Sequence, residues 1–233
     1  LAQIETRWWK RFFFNIESYR LRHYEHVLAQ SDAIFAISKQ DHQYFANKQY
    51  CPRVELLLPC VPSAIVQNHE GRGTYWLYHG NLSVGENEAA VRYLIKEVAP
   101  YVPYPLFVAG RQPSPTLAAA VASCPNATLV TDPSADHMAD LVRNAQVICL
   151  VTGQATGIKL KLIDSLVNGR FCVTNSKMVA HTGLESLCLV EDDPLQMAQT
   201  ISGLMQLDYT NEMVQQRVSV LNSHRQPILP FLC

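Results

Sequence analysis

Long apolar runs, paired cysteines and an excess of charge of either sign are all missing from this 233-residue chain. No apolar run approaches the roughly 18 residues of a membrane-spanning helix, so the sequence predicts no transmembrane segment. The 19 basic and 20 acidic side chains give a formal net charge of −1. No global electrostatic field would therefore draw the chain to nucleic acid, and any site for an anion must be built locally.

Metal-binding and nucleotide-loop motifs are also missing. The eight histidines show no HExxH pattern, and the chain has no P-loop and no GxGxxG sequence. None of the seven cysteines forms a CxxC pair: Cys51, Cys60, Cys124, Cys149, Cys172, Cys188 and Cys233. Cys149 and Cys172 lie in apolar, strand-like runs. This pattern indicates buried free thiols in a reducing compartment, and we expect a cytoplasmic protein without a metal site.

What the sequence does contain, from residue 74 onwards, is an alternation of short apolar strands and helices. It predicts strands at 75–78, 105–109, 128–130, 147–151, 171–174 and 187–190, and helices at 86–98, 116–122, 135–144, 157–168, 194–206 and 211–222. Apolar strands separated by helices are typical of a parallel sheet covered on both faces. We therefore predict an α/β fold, a Rossmann-like parallel sheet with helices on both faces, whose ligands bind beyond the carboxyl ends of the strands.

The first 50 residues differ in character from the rest. A helix is predicted over 5–30, a short buried strand over 32–37, and then a second helix that Ser38 caps, with Asp41 three residues on. The first helix carries five clustered aromatic side chains, Trp8, Trp9, Phe12, Phe13 and Phe14. Two interpretations of the cluster stay open: packing against a partner layer, which we favour, and contact with a membrane surface. Prolines and glycines then mark a linker up to residue 73.

The segment from Thr156 to Asn175 carries the strongest signal for a ligand site. It predicts a helix that Thr156 caps and that Gly169 ends in a left-handed conformation. Lys159 and Lys161 lie in the first turns, where the helix dipole is already positive. A bound anion such as a phosphate would explain two lysines at that end. The periodicity predicts an apolar stripe of Leu162, Ile163, Leu166 and Val167, opposite a side formed by Lys161, Asp164, Ser165 and Asn168.

Further candidate residues follow two of the predicted strands. Gly80, Asn81 and Ser83 lie in the turn after the first strand, where a glycine lets a ligand approach the backbone. Arg111 follows the second strand, from which its guanidinium can reach a diphosphate. Each has a plainer alternative: Asn81 would form an Asx turn, and Arg111 would be a solvated surface side chain. His79 lies in the same predicted cleft, although a lone histidine is more often a packing residue.

The order Thr156-Gly157-Ile158-Lys159-x-Lys161, followed by Asp164 and Gly169, resembles the C-terminal, donor-binding half of GT-B glycosyltransferases of the retaining, GT4-like group 1 family. Gly80-Asn81-Leu82-Ser83 resembles a loop of one branch of that family. The resemblance implies a nucleoside diphosphate sugar as the donor substrate and no metal. The donor-binding residues that it implies are Gly80, Asn81, Ser83, Arg111, Gly157, Ile158, Lys159, Lys161 and Asp164.

Several positions depart from the family pattern. Asp164 takes the place of the second glutamate of the family's E-x7-E motif, which holds the ribose hydroxyls, and Thr156 takes the place of the first. Asn81 and Glu86 stand where the family carries a basic pair. The resemblance implies transfer of a sugar to an acceptor, in polysaccharide or glycan biosynthesis, but it identifies no catalytic residue. Two alternatives stay open: a nucleotide-sugar epimerase, and a nucleotide-binding or assembly module that has lost the activity.

The resemblance also implies a division of the chain. Residues 1–50 would be the end of an N-terminal, acceptor-binding domain, 51–73 a linker, 74–210 the donor-binding domain, and 211–233 a C-terminal helix and tail. Most of the N-terminal domain would then be absent, and we expect a fragment that binds donor without transferring sugar. The aromatic helix predicts a homodimer, or contact with the inner face of a membrane.

Overall fold

The computed structural model describes residues 8–56, 70–154 and 159–223. The chain divides into two compact units, Leu1–Pro59 and Cys60–Cys233. None of the helices in the described ranges combines the length and the apolar character needed to cross a membrane.

The described part of the first unit contains helices and a pair of short parallel strands: α1 (Trp8–Tyr24), a 3₁₀ helix (Glu25–Gln30), β1 (Ile34–Ala36), α2 (Lys39–Lys48) and β2 (Val54–Leu56). Ser38 caps α2 as predicted, because its Oγ accepts a hydrogen bond from the Asp41 N–H at 3.0 Å. The strand over 32–37 is shorter than predicted and only partly buried. Ile34 and Ala36 face inward, while Phe35 is exposed.

The aromatic cluster of α1 faces solvent within the described residues. Trp8, Trp9, Phe12 and Phe13 are exposed, and Phe14 is half-buried. The helix ends at Tyr24, where the backbone tightens into the 3₁₀ turns that follow. A partner layer and a membrane surface both stay predictions for this cluster.

A parallel six-stranded sheet forms the centre of the described part of the second unit, in the order β5-β4-β3-β6-β7-β8. Its strands are β3 (Trp76–Asn81), β4 (Leu106–Arg111), β5 (Ala127–Thr131), β6 (Val147–Leu150), β7 (Phe171–Thr174) and β8 (Leu189–Val190). The predicted α/β class and parallel sheet are confirmed. The chain runs outward from β3 to β5 and then returns to β6 on the other side of β3. This reversal is the topological switch point at which open parallel sheets bind ligands.

The helices that accompany this sheet are α3 (Gly85–Tyr93), α4 (Pro115–Ala122), α5 (Ala135–Asn144), α6 (Leu160–Asn168), α7 (Ser176–Val179), α8 (Pro194–Leu204) and α9 (Asn211–Ser223). Helix α5 has the predicted bounds. The helix predicted over 86–98 is instead interrupted, because α3 passes into a π-helical turn at Leu94–Val98. The short helix α7 had no periodic signal in the sequence. The strand predicted over 187–190 is reduced to β8, since a 3₁₀ turn occupies Glu185–Leu187.

The sheet core is made by β6 and β7, in which every residue is buried. The five cysteines in the described ranges are free thiols. Cys149 and Cys172 are buried, as their apolar runs predict, and Cys51 is buried as well. Gln146 is fully buried but satisfied. Its Oε1 accepts from the Gly73 N–H at 2.6 Å, and its Nε2 donates to the carbonyl oxygens of Leu204 at 2.9 Å and of Leu207 at 2.6 Å. This side chain therefore joins the segment before β3 to the last residue of α8 and the loop after it.

Two predictions about α6 are wrong. The helix begins at Leu160 rather than at 157, with Lys159 at its N-cap, and Thr156, Gly157 and Ile158 lie outside the described residues. Gly169 is extended, with φ −99° and ψ 172°, and is not left-handed. Glycine is required there by space: a Cβ would collide with the Ile148 side chain and lie 2.8 Å from the Ser165 carbonyl oxygen.

Candidate functional site

A cleft of about 500 Å³ opens beyond the carboxyl ends of β3, β4 and β5. Its apolar wall comes from α5 and the loop before it, namely Pro133, Ala135, Met138, Ala139 and Val142. Its polar lining includes His79, Asn81, Arg111, Asp164 and Asn168. Of the residues predicted from the sequence, Gly80, Asn81, Arg111 and Asp164 therefore meet in one cleft.

The ends of β3 and β4 come together at a pair of glycines. Gly80 and Gly110 are register partners, and the ladder continues to Asn81 and Arg111. A Cβ on Gly110 would collide with the Gly80 carbonyl oxygen and lie 2.8 Å from Leu82 Cγ. β3 is therefore longer than the predicted 75–78, since two glycines let the ladder persist to the strand ends. His79, Gly80 and Asn81 are thus strand residues held in fixed register.

Asn81 and Ser83 form a closed turn after β3. The Asn81 Oδ1 accepts from the Ser83 N–H at 3.2 Å and from the Ser83 hydroxyl at 2.8 Å. Asn87 then donates its amide Nδ2–H to the Asn81 carbonyl oxygen at 2.8 Å. This is the Asx turn that the sequence left open as an alternative. Asn81 lines the cleft, whereas the Ser83 side chain is a partner inside the turn.

Lys161 lies on the side of α6 that faces β3 and α3. Its Nζ donates to Asn87 Oδ1 at 2.9 Å and to the Tyr78 hydroxyl oxygen at 3.2 Å. It also lies 5.0 Å from the centroid of the Tyr78 ring. Burial lowers the pKa of Lys161 to about 8, against the opposing charge of Glu86, while Lys159 lowers it further. Lys161 is therefore a partly buried ammonium group held by neutral oxygens, at the edge of the sheet that carries the cleft.

A carboxylate lies close to the two lysines. Glu86, near the start of α3, accepts a hydrogen bond from the Thr152 hydroxyl. Lys159 donates to the Gln154 carbonyl oxygen at 3.1 Å, and burial lowers its pKa while the charge of Glu86 opposes that shift. The sequence showed only that Glu86 replaces a basic residue of the family pattern. Its bond to Thr152 joins positions 66 residues apart and had no sequence signal.

Asp164 and Asn168 lie one turn apart on α6, at the mouth of the cleft. The Asn168 amide donates to Asp164 Oδ1 at 2.8 Å. Partial desolvation raises the pKa of Asp164 above its usual value, and the hydrogen bond from Asn168 opposes this. No ion pair joins Lys161 to Asp164 in the described part of the chain. Lys161, Asp164, Ser165 and Asn168 follow one another at helical spacing in α6 and share one side, as predicted, although Ser165 is fully buried within that side.

His79 connects β3 to the middle of α6. Its Nε2 lies 2.7 Å from the Ser165 hydroxyl, which donates to the Lys161 carbonyl oxygen at 2.7 Å. Burial lowers the pKa of His79 to about 4, and the nearby charge of Lys161 adds to the effect. The imidazole is therefore neutral at physiological pH and lines the cleft.

The loop after β5 closes the far end of the cleft. Asp132 has a left-handed backbone with φ 49°, and its Oδ1 accepts from the Gln112 N–H at 3.0 Å. Pro133 and Ser134 then line the cleft, and Ser134 caps α5 by accepting from the His137 N–H. Within the described ranges there is no cluster of three or more His, Cys, Asp or Glu side chains that could hold a metal ion.

A parallel sheet flanked by helices, with a polar cleft beside its switch point, defines a Rossmann-like α/β fold. The family model described as "Glycosyl transferases group 1" matches residues 73–207. This is more than half of the chain, and the chain belongs to the group 1 glycosyltransferases. No curated protein sequence matches it.

Solved structures show the same GT-B fold at low sequence identity. An α,α-trehalose 6-phosphate synthase from Burkholderia multivorans is 10% identical, with a TM-score of 0.59 over 85% of this chain and 57% of its own. The corresponding synthase from Burkholderia xenovorans is 12% identical, with a TM-score of 0.59 over 87% and 59%. A TarM variant from S. aureus, in a complex that includes UDP, is 12% identical, with a TM-score of 0.56 over 83% and 44%. The chain thus spans about half the length of these structures.

Proposed function

We propose that the chain is the donor-binding part of an enzyme that transfers a sugar from a nucleoside diphosphate sugar to an acceptor. One structural observation supports this proposal independently of the family membership. Lys161 is a partly buried cation whose hydrogen bonds go to the neutral oxygens of Tyr78 and Asn87. Burial lowers the pKa of this ammonium group to about 8 although the charge of Glu86 opposes the shift, so Glu86 offsets only part of the cost of burial. A bound diphosphate would supply further negative charge.

The rest of the donor would occupy the cleft. The diphosphate would lie near Gly80, Lys159 and Lys161, with Arg111 as a further cation. These groups and backbone N–H groups would meet the charge of the leaving diphosphate, so we propose that no metal is needed. The nucleoside would lie against the apolar wall of α5, with its ribose hydroxyls on Asp164. A carboxylate can accept two such hydrogen bonds.

The test is a ligand panel read by thermal unfolding and by calorimetry. UDP-, GDP-, ADP- and dTDP-sugars, the matching diphosphates and inorganic pyrophosphate would be titrated with and without EDTA. We expect one nucleoside diphosphate series to raise the melting temperature, equally with EDTA present. Loss of the shift in EDTA would contradict metal independence. Absence of a shift with every nucleotide would contradict the proposal itself.

A second candidate is a binding or assembly module without transferase activity. It is favoured by Asn81, whose side-chain oxygen is occupied in the Asx turn, and by Glu86, which reduces the positive potential beside Lys159 and Lys161. Donor binding would then occur without turnover. Transfer or slow hydrolysis of the panel's tightest donor by the longest available form of the protein would exclude this candidate.

The acceptor, the pathway and the location belong to the same proposal. We propose a role in polysaccharide or glycan synthesis in the cytoplasm, with retention of anomeric configuration. We also propose that α1 contacts either a second copy of the chain or the inner face of a membrane. NMR of the first product anomer tests the stereochemistry. Light scattering of residues 1–233 tests for a homodimer, and vesicle sedimentation tests for membrane contact. A monomer that does not sediment with vesicles would contradict both alternatives for α1.

A further inference from the structure

We propose that His79 recognises the nucleoside of the donor: its Nδ1 accepts a hydrogen bond from a ribose hydroxyl or from a base N–H. The inference rests on the proposed function, because it names a contact inside the same cleft. One ring nitrogen of His79, Nε2, packs against Ser165. The other, Nδ1, takes no part in that packing.

The hydrogen-bond chain between β3 and α6 decides which nitrogen of His79 carries the proton. The Ser165 hydroxyl has one hydrogen, and it is donated to the Lys161 carbonyl oxygen at 2.7 Å, since a carbonyl can only accept. The Ser165 oxygen therefore acts as acceptor towards His79 Nε2, which lies 2.7 Å away. Nε2 must carry a hydrogen. In a neutral imidazole, Nδ1 is then the nitrogen with a free lone pair.

The imidazole stays neutral because of its surroundings. His79 is 5% exposed, and the ammonium group of Lys161 lies close enough to oppose a second positive charge. These two effects lower the pKa of His79 to about 4. A charged imidazole would offer a donor at both nitrogens, whereas the neutral form offers an acceptor at Nδ1.

The packing of His79 leaves its second nitrogen, Nδ1, unused. Nδ1 has no hydrogen-bond partner among the described residues, and it is not among the polar atoms sealed inside the protein without one. His79 lines the cleft together with the apolar wall that includes Met138 and Val142. An acceptor at a cleft without a protein partner needs a hydrogen bond from water or from a ligand, and a ligand that displaces water must replace that hydrogen bond. A cleft of about 500 Å³ has the size range of small-molecule sites.

Two substitutions separate the packing role of His79 from the binding role. His79→Gln places an amide nitrogen near the Nε2 position, so it can still donate to Ser165, but it offers no acceptor near Nδ1. His79→Asn places an oxygen near the Nδ1 position but cannot reach Ser165. The packing role predicts that His79→Gln is the more stable variant. The binding role predicts that His79→Asn is the better binder.

The ligand would be whichever of UDP, GDP, ADP and dTDP binds the wild-type protein most tightly, with inorganic pyrophosphate as control. We expect His79→Gln to weaken the nucleotide about tenfold and His79→Asn about threefold or less. Pyrophosphate affinity should be unchanged in both variants. Melting temperatures should rank in the opposite order. Nucleotide affinities that follow the melting temperatures, or an unchanged affinity in His79→Gln, would overturn the inference.

Two analogues identify the group that His79 contacts. One is the 2′,3′-dideoxy nucleotide, and the other is methylated at the base N–H. The loss caused by His79→Gln should disappear for the analogue that lacks the contacted group. A loss that persists with both would overturn the inference. If no nucleotide binds the wild-type protein, the proposed function and this inference fail together, whereas normal wild-type binding with an unaffected His79→Gln variant removes the inference alone.

Discussion

Helix α6 carries two opposite charges, one turn apart, that lie in different surroundings. Lys161 faces β3 and α3 and is partly buried against Tyr78 and Asn87, whereas Asp164 is exposed at the mouth of the cleft. Burial lowers the pKa of the first and raises that of the second, so each environment disfavours the charged form. In the proposed function the two groups meet different parts of one ligand, Lys161 the diphosphate and Asp164 the ribose.

The largest effect is expected from a change at the paired ends of β3 and β4, since β3 carries Tyr78, a partner of Lys161, and its end lines the cleft. Gly110→Ala would place a Cβ against the Gly80 carbonyl oxygen and Leu82, and backbone cannot move aside cheaply. We expect a loss of about 2–4 kcal/mol in the free energy of unfolding, measured by urea denaturation. Gly203→Ala is the matched control, because open space surrounds that position. Equal stability of the two variants would contradict the close approach of β3 and β4.

Removing the buried charge tests the diphosphate side. Lys161→Ala should weaken binding of a nucleoside diphosphate and of pyrophosphate by about 1.5–3 kcal/mol, since a charge-assisted hydrogen bond is lost. Lys177→Ala removes an exposed charge from the same unit and should leave calorimetric affinities unchanged. If both variants bind like the wild-type protein while remaining folded, Lys161 has no phosphate role.

Neutralising the exposed carboxylate tests the ribose side. Asp164→Asn should weaken ribonucleotide binding by about 1–3 kcal/mol and leave pyrophosphate affinity nearly unchanged. Asp164→Glu should be tolerated, because it keeps the acceptor oxygens. Equal losses for both ligands in Asp164→Asn would mean that the carboxylate acts structurally, through its hydrogen bond with Asn168.

The smallest effect is a pH dependence that belongs to Lys161 alone. The folded-state pKa of about 8 lies below the ordinary lysine value of 10.5. Between those values the unfolded chain binds more protons, so the ligand-free protein should gain stability relative to Lys161→Met as the pH rises. Nucleotide affinity should change in the opposite sense. The affinity should fall by about tenfold or less between pH 7 and 9, because Lys161 loses its proton in that range. The ligand does not contribute to the change, since its terminal phosphate is already ionised above about pH 6.

Calorimetry in that pH range, with Glu86→Gln as a companion variant, measures this effect. Glu86 opposes the lowering of the Lys161 pKa, so its neutralisation should move the loss of affinity to lower pH. A wild-type profile that matches Lys161→Met would show that another group controls the titration.

Much of the fold could be predicted from the sequence, because local patterns control it. The bounds of α5 and β7, and the cap that Ser38 provides, depend on residues a few positions apart. The start of α6 and the extended conformation of Gly169 were predicted wrongly. The Gly169 carbonyl oxygen accepts from Arg217 at 2.7 Å, 48 residues further on, and such a contact has no local signature.

The candidate site divides in the same way. Gly80, Asn81, Arg111 and Asp164 were found from their places after strands and on a helix, and the structure brings them to one cleft. The predicted residues Gly157 and Ile158 lie outside the described residues. Sequence periodicity placed Ser165 beside Lys161 and Asp164 on one polar side of α6. Its burial was not predicted, because its partner His79 lies on β3, 86 residues earlier in the chain.

The sequence by itself determined the alternation of strands and helices, the parallel sheet that follows from it, and the types of residue at the strand ends. These follow from hydrophobic periodicity, capping and glycine, which act over one or two turns. Only the tertiary structure decided which nitrogen of His79 carries the proton and which oxygens hold Lys161. These pairs lie 74 to 86 residues apart in the chain, and the stacking of β3, α3 and α6 brings them into contact.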